Sequence, residues 1–186
     1  MKTTGPEKLL LDIVEVLSGL KIKYFITGGF AVSVWGRPRS TADIDIVIEL
    51  VELQIEPLLK ALRKISEAGY IDEDTAKYAV RNRGEFNFID PETGIKVDFW
   101  LMKENQIAKN QYSRRKTKII NKIKINFISP EDLIINKLIW HKETMSSRHL
   151  EDIKSIISIS RIDKDYIQKI AKYLNLEDIL REIKFK

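Results

Sequence analysis

Residues 24–49, YFITGGFAVSVWGRPRSTADIDIVIE, carry the side chains whose types and spacing suit chemistry. Asp43 and Asp45 flank Ile44 in a run that continues with Ile46 and Ile48. On a strand, side chains two residues apart leave the same face, about 6.5–7 Å apart at Cα. Two carboxylates that close repel unless positive charge lies between them. A hard divalent ion such as Mg²⁺ meets that need and keeps positions open for substrate phosphate. About fifteen residues earlier, Gly28-Gly29 lies between a β-prone run and a short helix. Backbone N–H groups at a helix start favour anions, and missing side chains let phosphate approach closely. A third acid, Asp98, sits in Ile95–Leu101, where Ile95, Val97 and Phe99 share one face and Lys96, Asp98 and Trp100 the other. A charge flanked by Val97 and Phe99 calls for a partner, because burying it alone is costly. With this strand beside residues 44–49, Asp98 completes a three-carboxylate cluster; otherwise it is a half-exposed acid paired with a lysine. The first arrangement suits phosphoryl or nucleotidyl transfer.

Those residues need elements to position them. Pro6, then Leu9, Leu10, Ile13, Val14 and Leu17 at helical spacing, predict a first helix ended by Gly19. Residues 22–27 are predicted as a strand, 30–35 as a short helix, 37–42 as a loop, and 44–49 as a second strand. Leu58, Leu59, Leu62 and Ile65 predict a helix over 52–68. Residues 85–89 and 95–101, alternating and joined by Asp90-Pro-Glu-Thr-Gly94, read as a hairpin. Residues 117–128 predict one or two further strands broken near Asn121. Ser129-Pro130-Glu131-Asp132 starts a helix, with Ser129 as N-cap and acids in the first turn. Helices over 130–143, 147–159, 163–174 and 176–183 complete the chain. The fold class expected is α+β: a mixed β-sheet core with flanking helices over residues 1–128, then a helical bundle over 129–186.

Composition narrows the setting. No apolar run approaches the ~20 residues of a membrane span, so no membrane partner is expected. Glu7, Asp12 and Glu15 among the first apolar residues argue for an amphipathic helix rather than a secretion signal. The chain lacks cysteine, which excludes thiolate metal sites, and His141 and His149 are too few for a zinc site. A cytoplasmic location is expected by default. Net charge is +5, unevenly spread: 13 basic and 16 acidic residues in 1–102, against 19 and 11 in 103–186. Residues 105–130 hold no acid but seven cations, Lys109, Arg114, Arg115, Lys116, Lys118, Lys122 and Lys124. That block suits either RNA phosphates or a lysine-protected strand edge.

Gly28-Gly29, a short helix, the loop Arg37–Ala42, Asp43-Ile44-Asp45 and the later Asp98 together resemble the nucleotidyltransferase superfamily of the DNA polymerase β-like fold. The segment GGFAVSVWGRPRSTADIDI is most similar to a small prokaryotic branch, the AbiEii-type and MenT-type toxins and minimal nucleotidyltransferases. That branch also carries a Lys on a downstream helix and an Asp on the next, which Lys137 and Asp152 resemble. The resemblance implies two Mg²⁺ (or Mn²⁺) ions on Asp43, Asp45 and Asp98, an NTP substrate with phosphate contacts from Gly28 and Gly29, and Lys137 neutralising triphosphate charge. Asp152 would orient Lys137 or the acceptor. Arg37 and Arg39 either grip phosphate or are solvated loop residues. The superfamily often has Ser where Gly29 stands, so Ser40 or Thr41 could supply the hydroxyl. The acceptor would be an RNA 3′ end, a protein hydroxyl or a small molecule, and a cognate toxin or antitoxin a partner. A catalytically inactive nucleotide- or partner-binding module on the same fold is the alternative.

Overall fold

A computed structural model describes residues 5–183. The chain divides into two compact units: Met1–Phe30 with Ser40–Phe127, and Ala31–Arg39 with Ile128–Lys186.

The first unit is built on a seven-stranded mixed sheet. In chain order it comprises α1 (Pro6–Gly19), β1 (Lys23–Ile26), the first turn of α2 (Gly28–Trp35), β2 (Asp43–Glu49), α3 (Glu52–Ile65), β3 (Tyr70–Ile71), α4 (Glu73–Asn82), β4 (Glu85–Asp90), β5 (Ile95–Leu101), α5 (Gln106–Arg114), β6 (Lys116–Ile120) and β7 (Ile123–Phe127). The strand order is β3-β4-β5-β2-β1-β7-β6. β2 is central, antiparallel to β1 and parallel to β5. Alternation decides which face each strand buries: Ile44, Ile46 and Ile48 of β2 and Val97 and Phe99 of β5 are fully buried. Phe86 and Phe99 stack at 5.0 Å between ring centroids. Each such side chain contributes about 1.5–3 kcal/mol by leaving water. Helix α1 buries Leu9, Leu10, Ile13, Val14 and Leu17 and packs against α3 and β1.

Three elements go beyond the sequence expectation. Strand β3 has two residues and sits at the sheet edge. Helix α4 buries only Ala76, Ala79 and Val80, and is capped by Asp72, which accepts from the Thr75 N–H at 2.6 Å. Helix α5 buries only Ala108 and is capped by Asn105. The basic segment 105–130 is therefore α5 followed by the β6–β7 hairpin, whose turn places Asn121 and Lys122 at φ 49° and 68°. Helix α2 starts at Gly28 rather than 30, and α3 stops at Ile65, where Ser66 becomes extended.

The second unit holds the rest of α2, the loop to Arg39, and α6 (Pro130–Thr144), α7 (Ser147–Ile159), α8 (Lys164–Tyr173) and α9 (Glu177–Glu182). Helix α6 touches α7, α8 and α9. Its start is fixed by Ser129, whose hydroxyl oxygen accepts from the Asp132 N–H at 3.1 Å, while Tyr166 donates to Asp132 at 2.7 Å. Trp35 Nε1 donates to the Ile128 carbonyl at 2.8 Å, and Ser160 donates to the Trp35 carbonyl at 2.6 Å.

Candidate functional site

In the first unit, the polar face of the central strand pair collects the acids. Register sets Asp45 directly opposite Asp98 and Asp43 opposite Lys96. Their neighbours Ile44, Ile46, Val97 and Phe99 fill the opposite, buried face, so the four polar side chains share one side of the sheet. Asn87 of β4 lies opposite Asp98 and exposes its side chain there too.

Gly28 is fitted to this face. Its φ is +61°, a conformation side chains avoid, and a Cβ there would lie 1.7 Å from Asp45 Oδ2. The Asp45 carboxylate thus rests on the bare backbone at the start of α2. Gly29 next to it is constrained by space alone, because a Cβ would meet Thr41 Oγ1 at 2.4 Å. Thr41 donates to the Asp43 carbonyl at 3.2 Å, which joins the loop end to the start of β2. Ser40 is exposed in the same loop.

Lys96 is the cation of this cluster. Its ammonium lies 2.8 Å from Asp98 Oδ2, and the Asp98 carboxylate is 14% exposed. The hydrogen bond to Asp98, together with the charges of Asp98, Asp43 and Asp45, raises the Lys96 pKa against the opposing effect of burial. Among the described residues, no three His, Asp or Glu side chains close into a metal cage. The donor set nevertheless fits a hard divalent cation: three carboxylates on one face, with no sulfur or imidazole among them.

The second unit assembles a different cluster. Asp152 of α7 is 3% exposed, and Arg39 grips it with two hydrogen bonds, Nε to Oδ1 at 2.8 Å and an NH2 group to Oδ2 at 2.9 Å. Lys137 of α6, 5% exposed, lies 2.9 Å from Asp152 Oδ2 and 5.0 Å from the Trp140 ring centroid. Burial works to raise the Asp152 pKa, but hydrogen bonds and charge from Arg39 and Lys137 outweigh it and leave the carboxyl lowered. Burial, then the Lys137 charge, lowers the His149 pKa. Arg37 is exposed in the loop before Arg39.

Asp43, Asp45, Asp98, Gly28, Gly29 and Thr41 therefore gather in the first unit, and Lys137, Asp152 and Arg39 in the second. Sequence reasoning missed Asn87 and the bond from Arg39 to Asp152. Asn87 carried a detectable signal, its place in the outward register of a predicted hairpin. The Arg39–Asp152 pair carried none, being 113 residues apart.

A family model described as "Nucleotidyltransferase of unknown function (DUF6036)" matches residues 8–186. The chain belongs to this family. The nucleotidyltransferase superfamily and an α+β fold with a mixed sheet are thereby established, and solved structures agree on the fold. The lincosamide antibiotic adenylyltransferase LnuA, solved with lincomycin bound, is 19% identical with a TM-score of 0.58, over 85% of this chain and 100% of that one. ANT(2″)-Ia in complex with adenylyl-2″-tobramycin is 14% identical with a TM-score of 0.61, over 94% and 96%. An antigenic nucleotidyltransferase-like protein from Paracoccidioides brasiliensis is 19% identical with a TM-score of 0.58, over 96% and 93%. No curated protein matches the chain. Among the described residues, no helix is long and apolar enough to cross a membrane.

Proposed function

We propose that this chain is a metal-dependent nucleotidyltransferase that moves a nucleoside monophosphate from an NTP to an acceptor hydroxyl, acting in the cytoplasm. The observation that carries this reading is the register of β2 and β5, with Asp45 opposite Asp98 and Asp43 on the same face, beside Gly28, where positive φ and the Asp45 carboxylate leave no room for a side chain. Asp43, Asp45 and Asp98 would hold Mg²⁺ or Mn²⁺, with a stoichiometry of two, supplying charge that stabilises the attacking and leaving oxygens. The N–H groups of Gly28 and Gly29 donate to phosphate oxygens at the start of α2. The acceptor oxygen bonds to the α-phosphorus, the bond to the bridging oxygen breaks, and pyrophosphate leaves. Asp98, on the same sheet face as Asp43 and Asp45, would accept the acceptor's proton, and the metal would supply charge that stabilises the resulting oxyanion. In the second unit, Asp152 positions the Lys137 ammonium and the Arg39 guanidinium.

One observation favours a second reading. Lys96 satisfies Asp98 at 2.8 Å, as it would in a nucleotide- or partner-binding module that has lost turnover. Both readings meet in one experiment: each labelled NTP, with Mg²⁺ or Mn²⁺, incubated with total RNA, cell lysate, lincomycin or tobramycin. Label transferred to an acceptor, and reduced by about 10²-fold or more in Asp45→Asn, is the expected result. Nucleotide bound without label on any acceptor gives the module instead. A toxin–antitoxin setting, as toxin or as modifying antitoxin, is proposed on the resemblance of Lys137 and Asp152; a toxin should arrest growth on induced expression and its Asp45→Asn variant should not, whereas an antitoxin should leave growth unchanged.

A further inference from the structure

In the first unit, the open sheet face continues past the aspartates onto β4. Register sets its side chains in rows, Asp45, Asp98 and Asn87 in one and Val47, Trp100 and Glu85 in the next. Glu85, Asn87 and Trp100 are exposed, Trp100 by 41%. Among the described residues, no ion pair or side-chain hydrogen bond engages any of the three. Glu85 and Trp100 stand directly opposite each other, which puts their Cβ atoms about 4.5–5.5 Å apart. A carboxylate beside an indole is a pairing that recognises an ammonium group, by charge and by cation–π attraction.

Charge on this face points the same way. Across β1, β2, β4 and β5 it carries Asp43, Asp45, Glu49, Glu85 and Asp98 against Lys23 and Lys96, although the whole chain is +5. Lys23 is paired with Glu49 and Lys96 with Asp98, which leaves Glu85 unneutralised. A phosphate-bearing ligand is repelled beside an unpaired carboxylate, and an amine is attracted. Position along the row completes the case. Gly28 abuts Asp45 at one end, and Asn87 adjoins Asp98 at the other. An in-line displacement sets the attacking and leaving oxygens apart, so phosphates at Gly28 put the acceptor over Asp98 and Asn87.

We infer that Glu85 and Trp100 hold the ammonium group of a small, hydroxyl-bearing amine. Its reacting hydroxyl lies at Asp98, one row away along β5, a spacing of about 6.5–7 Å. Asn87, which can both donate and accept, holds a neighbouring hydroxyl. The amine's role as acceptor rests on the transferase reading above, whereas its binding does not.

Binding is therefore measured first, without metal or NTP. The probe is glucosamine, which carries an ammonium and hydroxyls on one ring, with glucose as its uncharged counterpart. NMR follows the indole N–H resonances below neutral pH, and Trp100→Phe assigns that of Trp100. Glucosamine should shift the Trp100 signal saturably and glucose should not. Glu85→Gln should weaken that binding about three- to fivefold. Glu92→Gln removes the same charge from the exposed turn between β4 and β5 and should leave binding unchanged. With NTP and Mg²⁺ added, Glu85→Gln should raise KM for an amine acceptor and keep kcat. The inference is overturned by equal shifts from the two sugars, by a Trp100 signal that neither moves, or by equal weakening in Glu92→Gln. Transfer onto an amine with KM unchanged by Glu85→Gln overturns it too. Saturable, Glu85-dependent binding without transfer supports the amine site and counts against the transferase reading alone.

Discussion

The two units each hold carboxylates close to lysine and arginine, yet they treat those charges in opposite ways. In the second unit, Asp152 and Lys137 are 3% and 5% exposed, and Arg39 completes their bonding. Both oxygens of that carboxylate are engaged inside the unit. In the first unit, Asp43, Asp45 and Asp98 sit half-buried on an open sheet face. Their cation there is Lys96, whose flexible side chain is 43% exposed and can swing away. One acid is enclosed within its unit, while three acids lie on a more open face, which is where the proposed cation would bind. Burial decides between these uses of the same functional group, because a buried charge must be paired whereas an exposed one need not be.

The sharpest way to break this contrast is to remove Asp152. Asp152→Ala removes the carboxylate that pairs with the buried Lys137 ammonium and with Arg39, and the loss expected is about 3–5 kcal/mol, read from urea unfolding. Lys137→Met combined with Asp152→Leu should recover most of it, since replacing both charges avoids the unpaired ion. Asp43→Asn and Asp45→Asn should leave stability within about 0.5 kcal/mol of the parent or raise it. Equal destabilisation by Asp45→Asn and Asp152→Ala would erase the distinction between the units.

Gly28→Ala comes next in size. A left-handed backbone costs a side chain about 1–2 kcal/mol, and the added Cβ displaces the Asp45 carboxylate it would meet at 1.7 Å. Transfer activity should fall about 10²-fold, as for a misplacement of about 1 Å in a reacting group. Lys96→Met is expected to act more gently and in the other direction. With its competitor for Asp98 removed, the half-saturating Mg²⁺ concentration should drop, which a metal titration of activity would read.

The smallest effects are in pH dependence. The fold lowers the Asp152 pKa below the ordinary 3.8, so its stabilisation is complete above about pH 4. It disappears as pH falls through the lower, folded value, and Asp152→Asn should lose this acid limb. His149 is lowered from 6.5, so the unfolded chain takes up that proton first. Stability is then full above pH 6.5 and declines as pH falls from there towards the folded value, and His149→Gln should flatten that decline in a series of thermal melts.

What could be read from the sequence followed where periodicity was strong. Ile44, Ile46 and Ile48 against Asp43 and Asp45 gave both the strand and its polar face, and Ile95–Leu101 did the same for Asp98. The Ser129 cap and Pro130 marked the start of α6. Helix α4 escaped because its inward face is Ala76, Ala79 and Val80, too small to imprint a hydrophobic stripe, although Asp72, Glu73 and Asp74 were a usable start signal. Helix α5 escaped because it buries only Ala108, and β3 because two residues are too few to show an alternation. Strand register was also hidden. The alternation in β2 and β5 says which residues share a face, but only hydrogen bonding between strands distant in sequence sets Asp45 against Asp98.

The most direct test of the central claim is a titration of Mn²⁺ into the protein with and without NTP, followed by electron paramagnetic resonance. Loss of the free-ion signal in the unaltered chain, stronger when NTP is present and absent in Asp45→Asn with Asp98→Asn, is the expected result. Mn²⁺ uptake that is the same in that double variant would contradict the assignment of the sheet-face aspartates as the metal-holding site.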